Sequence, residues 1–314
     1  MDSYLGLSVG LLLGLTVLDG AAKDQTAEHE LIQDNHFRCG FILWRPLPGQ
    51  HVRYGELKGF DSSAKPVWGL AQWNSKFPLA ANNLTSTADH FLLYSNSAKS
   101  VRIGQAGTSE ADISLSINAS LEYGARARKS GDPWVHLLVE QEFDAPAPLA
   151  KLRDARLHLE ARLLHARSRH QNDYLPTIHA AQFQLFFTVQ NRNRQSPGYG
   201  DLLWFGVPIY DNRQRLPNEN KSKDFGGTGK FIFTPAAKTF TSESAHDGNW
   251  LAIDKDLRPL MAEALKTAWA RGFLADSKLL DDYYISGMNL GWELPGTFDV
   301  EMQIRNLSLK LAEK

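Results

Sequence analysis

The chain has 314 residues, with 34 basic and 35 acidic side chains and a formal net charge of −1. This length allows one large domain or two small ones, and β-sandwiches of this size commonly form a single domain. The balanced charge and the lack of a polybasic run argue against nucleic acid and anionic membrane surfaces as partners. Cys39 is the single cysteine, which excludes a disulfide framework and a cysteine-rich zinc site.

The first 22 residues are predicted to be an export signal. Residues 4–18 are almost unbroken apolar sequence, and Gly20, Ala21 and Ala22 supply the small residues that a signal peptidase requires. Such a stretch suits a signal core and is too short to span a bilayer comfortably. No Lys or Arg precedes it, so a buried or interfacial N-terminal segment is the alternative. The sequence predicts a secreted, periplasmic or cell-envelope protein in which residues 23–314 form one domain, with no transmembrane segment after signal removal.

Strands in the first half of the chain are predicted from short apolar runs that end in turn residues. The run 37–44 is followed by Arg-Pro-Leu-Pro-Gly, which is typical of a strand and a turn. Further strands are predicted at residues 52–57, 67–73, 91–94, 100–103 and 113–123, followed by a basic loop at residues 124–133. An aromatic and basic cluster fits either a loop-built rim or core packing, and its members are Trp44, Arg45, His51, Arg53, Tyr54, Trp68 and Trp73.

The second half of the chain carries longer stretches in which apolar and polar residues alternate. Because successive side chains of a strand face opposite sides of its sheet, each stretch has one buried and one wet face. Residues 154–164 also contain good helix formers, and their strict alternation favours a strand over that alternative. The predicted strands cover residues 134–143, 154–164, 180–190, 202–212, 230–234, 283–293 and 298–304.

One short α-helix is predicted near residues 256–272. Asp256 can cap its N-terminus, Pro259 suits its first turn, and Gly272 can end it. The apolar residues between them follow helical spacing. With the alternating strands, this predicts an all-β fold, an antiparallel two-sheet β-sandwich (jelly roll) with one short helix.

The polar faces of the long strands are predicted to converge on a single sheet surface that binds a poly- or oligosaccharide. Carboxylates, amides and guanidinium groups can hydrogen-bond sugar hydroxyls, and aromatic rings can pack against the C–H faces of sugars. The alternative is a solvated face whose charges pair across strands without a ligand. The candidate ligand-binding residues are His136, Arg156, His158, Arg162, Gln182, Gln184, Trp204, Tyr210, Glu301 and Arg305.

Three carboxylates are candidate catalytic residues. Glu140 and Glu142 lie two positions apart on one predicted strand, and Glu160 lies on the next. Two carboxyl groups about 5–9 Å apart can act as acid and base, or acid and nucleophile, in glycoside cleavage. A purely structural role on the strand surface is the alternative for all three.

No cofactor is expected, and no metal site is predicted from ligand spacing. Calcium held by Asp254, Asp256 and backbone carbonyls is an alternative that competes with the capping role of Asp256.

Taken together, the export signal, the alternating strands, the short helix and the closing strand pair resemble a jelly-roll or concanavalin A-like sandwich over residues 37–311. The resemblance implies the architecture of lectins, carbohydrate-binding modules and several polysaccharide hydrolases and lyases. The Glu-x-Asp-x-x-Glu strand of laminarinase-like hydrolases is absent. The first hypothesis is a secreted glycan-binding sandwich. The alternatives are a polysaccharide hydrolase or lyase, with Arg156 or Arg162 holding an acidic sugar, and an envelope or adhesion scaffold.

Overall fold

The computed structural model describes Met1 and residues 28–314, apart from residues 89, 108, 109, 125 and 226. The predicted export signal therefore lies outside the described residues. Two helices are described, α1 (Ala119–Tyr123) and α2 (Arg258–Ala270). The strands are β1 (His29–Glu30), β2 (Gly40–Trp44), β3 (Arg53–Lys58), β4 (Trp68–Ala71), β5 (Leu84–Ala88), β6 (Phe91–Ser95), β7 (Lys99–Gly104), β8 (Ile113–Asn118), β9 (Val135–Pro148), β10 (Leu152–Ser168), β11 (Gln182–Asn191), β12 (Leu202–Asp211), β13 (Asn220–Lys223), β14 (Phe231–Thr234), β15 (Leu251–Asp256), β16 (Tyr283–Leu294) and β17 (Phe298–Glu313).

These strands form two sheets. Sheet A has the order β15-β10-β17-β8-β7-β6-β5, with β1 paired to β17, and sheet B has the order β13-β14-β12-β11-β16-β9-β4-β2-β3. The predicted all-β sandwich of two sheets is confirmed. Most neighbours are antiparallel, but β14 runs parallel to β12, and β4 runs parallel to β2. Alternation in a sequence reports which face a side chain occupies and not the strand direction, so these parallel pairs were not predicted.

Alternating side chains from both sheets meet in one hydrophobic core. In β10, for example, Leu157 and Leu159 are fully buried, and residues 154–164 form the strand that their alternation predicted. Trp292 of β16 is also fully buried, and its indole N–H donates a 2.9 Å hydrogen bond to the carbonyl oxygen of Leu115 in sheet A. The core thus fixes the position of β16, the central strand of sheet B, relative to the opposite sheet.

The predicted helix near residues 256–272 is present as α2. Asp256 accepts hydrogen bonds from the backbone N–H groups of Arg258 and Ala155, at 3.0 and 2.9 Å, and so joins the start of the helix to β10. Gly272, just beyond the helix, has a φ angle of +81°, which glycine adopts at little cost. Among the described residues, no helix combines the length and apolar character that crossing a bilayer requires.

The prediction of a single strand over residues 113–123 is wrong in its second half. β8 ends at Asn118, and α1 follows directly. The helical turn directs the Glu122 carboxylate inward, where it forms an ion pair with Lys99, and both side chains are fully buried. Glu122 also accepts hydrogen bonds from the Ser75 hydroxyl at 2.8 Å and from the backbone N–H of Lys76 at 2.7 Å. These bonds satisfy a buried charge that a continued strand would have left at the surface.

Replacing one partner of this buried pair should destabilise the fold strongly. Lys99→Met leaves the Glu122 carboxylate buried without its cation, and we expect a loss of about 3–5 kcal/mol in the free energy of unfolding. The double variant Lys99→Met/Glu122→Leu removes both charges and should recover part of that loss. Equilibrium urea unfolding measures both, and a single variant as stable as the wild type would contradict this account.

Candidate functional site

A cleft of about 780 Å³ lies on the outer face of sheet B. Side chains at paired positions of neighbouring strands lie side by side, so the strand register arranges the floor of the cleft in rows. The first row, from β12 to β9, is Asp211, Gln182, Glu293 and His136. The second row is Pro208, Gln184, Gly291 and Leu138, and the third is Gly206, Phe186, Asn289 and Glu140.

Aromatic rings line the cleft beside these rows. The Trp204 ring meets Phe186 edge to face at 6.3 Å, and its indole N–H donates to the Thr228 hydroxyl oxygen at 3.0 Å. Trp134 lies 5.7 Å from the His136 ring. At the far end, Trp73 lies 5.8 Å from His51, a residue of the loop between β2 and β3.

Glu293 stands on the floor of the cleft with 23% of its side chain exposed. Burial, and then the negative charge of Asp224, raise the pKa of Glu293 to about 7. Its Oε2 atom lies 3.8 Å from Nε2 of His136, which is too far for a hydrogen bond. Burial lowers the pKa of His136 to about 4. Between these two values both side chains are neutral, which leaves Glu293 as a carboxylic acid that can donate a proton.

Three other carboxylates of the cleft are each paired with a basic side chain. The pairs are Glu140 with His51 at 2.9 Å, Asp211 with Arg213 at 2.6 Å and Glu219 with Lys221 at 3.0 Å. The hydrogen bond to Glu140 also raises the pKa of His51. Burial alone would raise the pKa of Asp211, but the hydrogen bonds from Arg213 outweigh it and hold that pKa below its usual range.

Asp224 differs from these three acids. Its Oδ2 atom accepts hydrogen bonds from the backbone N–H of Thr228 at 2.6 Å and from the Thr228 hydroxyl at 2.8 Å. Within the described part of the chain, no basic side chain pairs with it, and its Oδ1 atom accepts no hydrogen bond. Asp224 is partly exposed on the turn between β13 and β14 and lines the same cleft as Glu293.

The structure divides the sequence-predicted site residues between the two sheets, so the prediction of a single shared surface is wrong. Alternation identifies the wet face of a strand, but it does not reveal which sheet the strand joins. The residues that line the sheet B cleft are His136, Glu140, Gln182, Gln184, Trp204 and Tyr210. Those on sheet A are Arg156, His158, Glu160, Arg162, Glu301 and Arg305.

Two residues on sheet B deviate from the expected positions. Glu142 is exposed on β9, outside the residues that line the cleft. Tyr210 is only 4% exposed, because the register shifts between Phe183 and Gln184 and the ring packs against Trp292 at 5.9 Å. The catalytic role of Glu142 and the ligand-binding role of Tyr210 stay predictions.

Each predicted site residue on sheet A lies beside a side chain of opposite charge type. The pairs are Arg305 with Glu160 at 2.5 Å, Arg162 with Glu110 at 2.6 Å, Arg156 with Asp254 at 2.6 Å, His158 with Glu160 at 3.9 Å and His165 with Glu301 at 3.9 Å. The guanidinium groups of Arg162 and Arg305 also lie 4.9 and 4.1 Å from the ring centre of Trp250. This arrangement matches the alternative of cross-strand ion pairs. A ligand-binding or catalytic role for these residues stays a prediction.

The acids of the candidate calcium site have other partners. Asp254 pairs with Arg156, and Asp256 accepts backbone hydrogen bonds from Arg258 at the start of α2 and from Ala155 on β10. In the part of the chain that the structure describes, no three His, Cys, Asp or Glu side chains are grouped so that they could hold a metal ion.

The N-terminal aromatic cluster serves both of the roles that were considered for it. Trp68 is fully buried in the core. Trp73 and His51 line one end of the cleft, and Trp44 contacts His51 at 5.4 Å.

Sequence reasoning missed Glu293, Asp224 and Trp134. A signal for Glu293 was present, since Met288, Leu290 and Trp292 mark the buried face of β16 and thereby place Asn289, Gly291 and Glu293 on the wet face. The glycines at positions 287 and 291 obscured that alternation. Asp224 lies on a turn, where no periodicity could have identified it.

No protein-family model matches the chain, and no curated protein matches it. Solved structures of similar architecture include the endoglucanase cel12A from Rhodothermus marinus, with 10% identity, a TM-score of 0.41 and coverage of 72% of this chain and 93% of that one. The family 12 xyloglucanase from Bacillus licheniformis has 10% identity, a TM-score of 0.41 and coverage of 77% and 99%. The family 11 xylanase from Neocallimastix patriciarum has 8% identity, a TM-score of 0.36 and coverage of 72% and 94%. Because these scores are low, the chemistry of the cleft has to follow from the residues of this chain.

The raised pKa of Glu293 predicts a pH-dependent contribution to stability. The folded state binds the Glu293 proton more tightly than the unfolded state, so this contribution is present at low pH and is lost as the pH rises from 4.5 to about 7. It amounts to on the order of 3 kcal/mol. We expect Glu293→Gln to remove it, as measured by urea unfolding at a series of pH values.

His136 contributes a slope of opposite sign, because its lowered pKa makes the fold more stable as the pH rises from about 4 to 6.5. The difference between the wild type and Glu293→Gln therefore isolates the Glu293 contribution. Parallel stability profiles for the two proteins would show that the Glu293 carboxyl group titrates normally.

Proposed function

We propose that the protein hydrolyses glycosidic bonds of a polysaccharide bound in the sheet B cleft, with Glu293 as the general acid. The raised pKa of Glu293 on the floor of this cleft is the observation that carries the proposal. An ordinary glutamate is ionised at neutral pH, whereas Glu293 keeps its proton up to a pH of about 7. A protonated carboxyl group near the operating pH is the donor that a departing sugar oxygen needs.

The shape and lining of the cleft support a chain of sugars as the substrate. The lining residues come from five neighbouring strands, from β14 to β9, which span about 19 Å at the usual spacing of strands in a sheet. That length accommodates several linked sugar rings. Trp134 and Trp204 offer rings for the C–H faces of sugars, and Gln184 and Asn289 offer amides for their hydroxyl groups.

The charge of the cleft favours a neutral polysaccharide over one rich in uronic acids. Five carboxyl side chains line it, and Arg213 is the one arginine among the described lining residues. Arg213 is already paired with Asp211. The arginines suggested by the sequence as ligands for an acidic sugar, Arg156 and Arg162, lie on the other sheet. Cleavage of uronic acids by a lyase is disfavoured for the same reason.

In the proposed reaction, Glu293 donates its proton to the glycosidic oxygen as the bond from that oxygen to the anomeric carbon breaks. His136, which stays neutral beside it, neither takes the proton nor adds a positive charge that would favour ionised Glu293. Export of the protein belongs to the proposal, because a polysaccharide is an extracellular substrate that the predicted signal would allow the protein to reach.

Glycan binding without cleavage is the second candidate function. It is favoured by Gln182, which occupies the position directly opposite Glu293 on β11 and places an amide where a second carboxylate could have stood. Aromatic rings and amides are sufficient to hold a sugar chain. The two candidates therefore differ only in whether bond cleavage follows binding.

Replacing Glu293 should separate catalysis from binding. We expect the wild type to release reducing ends from at least one neutral polysaccharide in a panel of β-glucans, xylans, mannans and uronic acid polymers. Glu293→Gln should lower that rate by about 10²–10⁴-fold, because the proton donor is lost, while binding measured by affinity electrophoresis is retained. Glu313→Gln, at the exposed end of β17, is the matched control and should leave the rate unchanged.

Each outcome of this assay decides between the candidates. Binding by the wild type without release of reducing ends would support the second candidate and exclude hydrolysis. Equal rates for the wild type and Glu293→Gln would exclude Glu293 as the acid. Neither binding nor cleavage across the panel would contradict both candidates.

The position of the ligand can be tested with two tryptophans, one in the cleft and one beside sheet A. Trp204→Ala, made in the Glu293→Gln background, should weaken polysaccharide binding by about 2–12-fold, because stacking contributes about 0.5–1.5 kcal/mol. Trp250→Ala removes the same type of side chain next to Arg162 and Arg305 of sheet A, outside the residues that line the cleft, and should bind as tightly as the background protein. Isothermal titration calorimetry measures both, and a greater loss in Trp250→Ala would place the ligand on sheet A.

A further inference from the structure

Glu293 has no carboxylate facing it on either neighbouring strand. The paired residues are Gln182 on β11 and His136 on β9. A carboxylate at a directly paired position would be about 5 Å away, which is the separation found in glycosidases that retain the anomeric configuration. At neutral pH an amide supplies neither a carboxylate nucleophile nor a general base. The partner of Glu293 in hydrolysis therefore has to come from elsewhere in the cleft.

The three carboxylates with basic partners do not suit this role. Asp211 is only 5% exposed, and its two oxygens accept side-chain hydrogen bonds from Arg213 and from Gln182, at 2.6–2.8 Å. Glu140 lies two rows away from Glu293 and is bound to His51. In each of the three pairs, the basic partner occupies a carboxylate oxygen that a general base would need for the hydrolytic water.

Asp224 has the properties that these acids lack. Its two hydrogen bonds both reach Oδ2, which fixes the carboxylate and leaves Oδ1 free to accept a bond from water. The Thr228 hydroxyl that holds it is in turn bound by the Trp204 indole, so the turn is anchored to the cleft. The negative charge of Asp224 acts on both Glu293 and His136, which indicates that its carboxylate lies near both side chains.

We propose that Asp224 is the general base that activates the hydrolytic water, and that the reaction inverts the anomeric configuration. This inference rests on the proposed hydrolytic function. Asp224 lies on a turn that lines the cleft and Glu293 on its floor, so the sugar and a water molecule can lie between them. A water molecule between the two carboxyl groups is the arrangement used by inverting glycosidases.

The proposed step balances with water as the only co-reactant. The water oxygen forms a bond to the anomeric carbon from the side of Asp224, and Asp224 accepts one proton of that water. The bond between the anomeric carbon and the glycosidic oxygen breaks, its electron pair stays on that oxygen, and Glu293 supplies the proton. The products are a new reducing end of inverted configuration and a shortened chain with a free hydroxyl group. Exchange with solvent then returns the proton to Glu293 and removes the one on Asp224.

The configuration of the first product tests the inference directly. Proton NMR spectra recorded in the first minutes of hydrolysis, before the anomers equilibrate, should show the anomer opposite to that of the substrate bond. Early product of the same configuration would overturn the role of Asp224 and leave the hydrolytic function intact. No product from any polysaccharide would overturn the hydrolytic function and this inference together.

A second experiment tests Asp224 itself. Asp224→Asn should lower kcat by about 10²–10⁴-fold with a smaller change in KM, because the group that it removes acts on the water. Asp281→Asn makes the same charge change at an exposed turn before β16 and should leave kcat unchanged. An unchanged kcat in Asp224→Asn would overturn the proposal.

A third readout does not depend on turnover. The pKa of Glu293, measured by carbon-13 NMR, should fall towards its ordinary value in Asp224→Asn, because a neighbouring negative charge has been removed. It should not change in Asp281→Asn. An unchanged pKa in Asp224→Asn would show that the two carboxyl groups are too far apart to act on one sugar.

Discussion

Desolvation of the Glu293 carboxyl group is the constraint on which the chemistry of the cleft depends. Two residues that precede Glu293 on β16, Trp292 and Leu290, are fully buried in the core. Their packing holds β16 in place, so the strand cannot shift to expose Glu293 further to water. The side chain therefore lies among Trp134, His136 and the turn of Asp224 and holds its proton to a higher pH than an exposed glutamate does. The packing of the core determines the protonation of a group on the opposite face of the same strand.

The four residues in the first row of the floor differ in the charge that they carry at neutral pH. Asp211 is charged and fixed by Arg213, Gln182 is neutral, and His136 is neutral because burial opposes its protonation. Glu293 is thus the member of the row whose charge changes near neutral pH. Among the described residues, Asp224 is the charged carboxylate of the cleft that has no basic partner, and it lies on a turn and not in the sheet. The proposed proton donor and proton acceptor can therefore lie on two sides of one bound chain.

The sequence allowed the sandwich, the strand of residues 154–164 and the short helix to be predicted, because each depends on a local period. It did not allow β10 and β17 to be assigned to one sheet and β9, β11 and β12 to the other, because pairing depends on contacts between distant segments. The proposed acid, Glu293, could not be predicted because the two glycines of β16 interrupt the alternation of apolar and polar residues around it. The proposed base, Asp224, could not be predicted because it lies on a turn, where the sequence has no periodic pattern.

The two parallel strand pairs of sheet B place a hairpin at each end of the cleft. Parallel β2 and β4 are separated in sequence by β3, and parallel β12 and β14 are separated by β13, so each outer margin of the sheet is a hairpin. His51 lies on the tip of one hairpin and Asp224 on the tip of the other. Surface hairpin tips tolerate insertions far better than central strands do. Related chains could therefore exchange both ends of the groove, and with them the length and branching of any polymer that the cleft accepts, while β16 and Glu293 stayed the same.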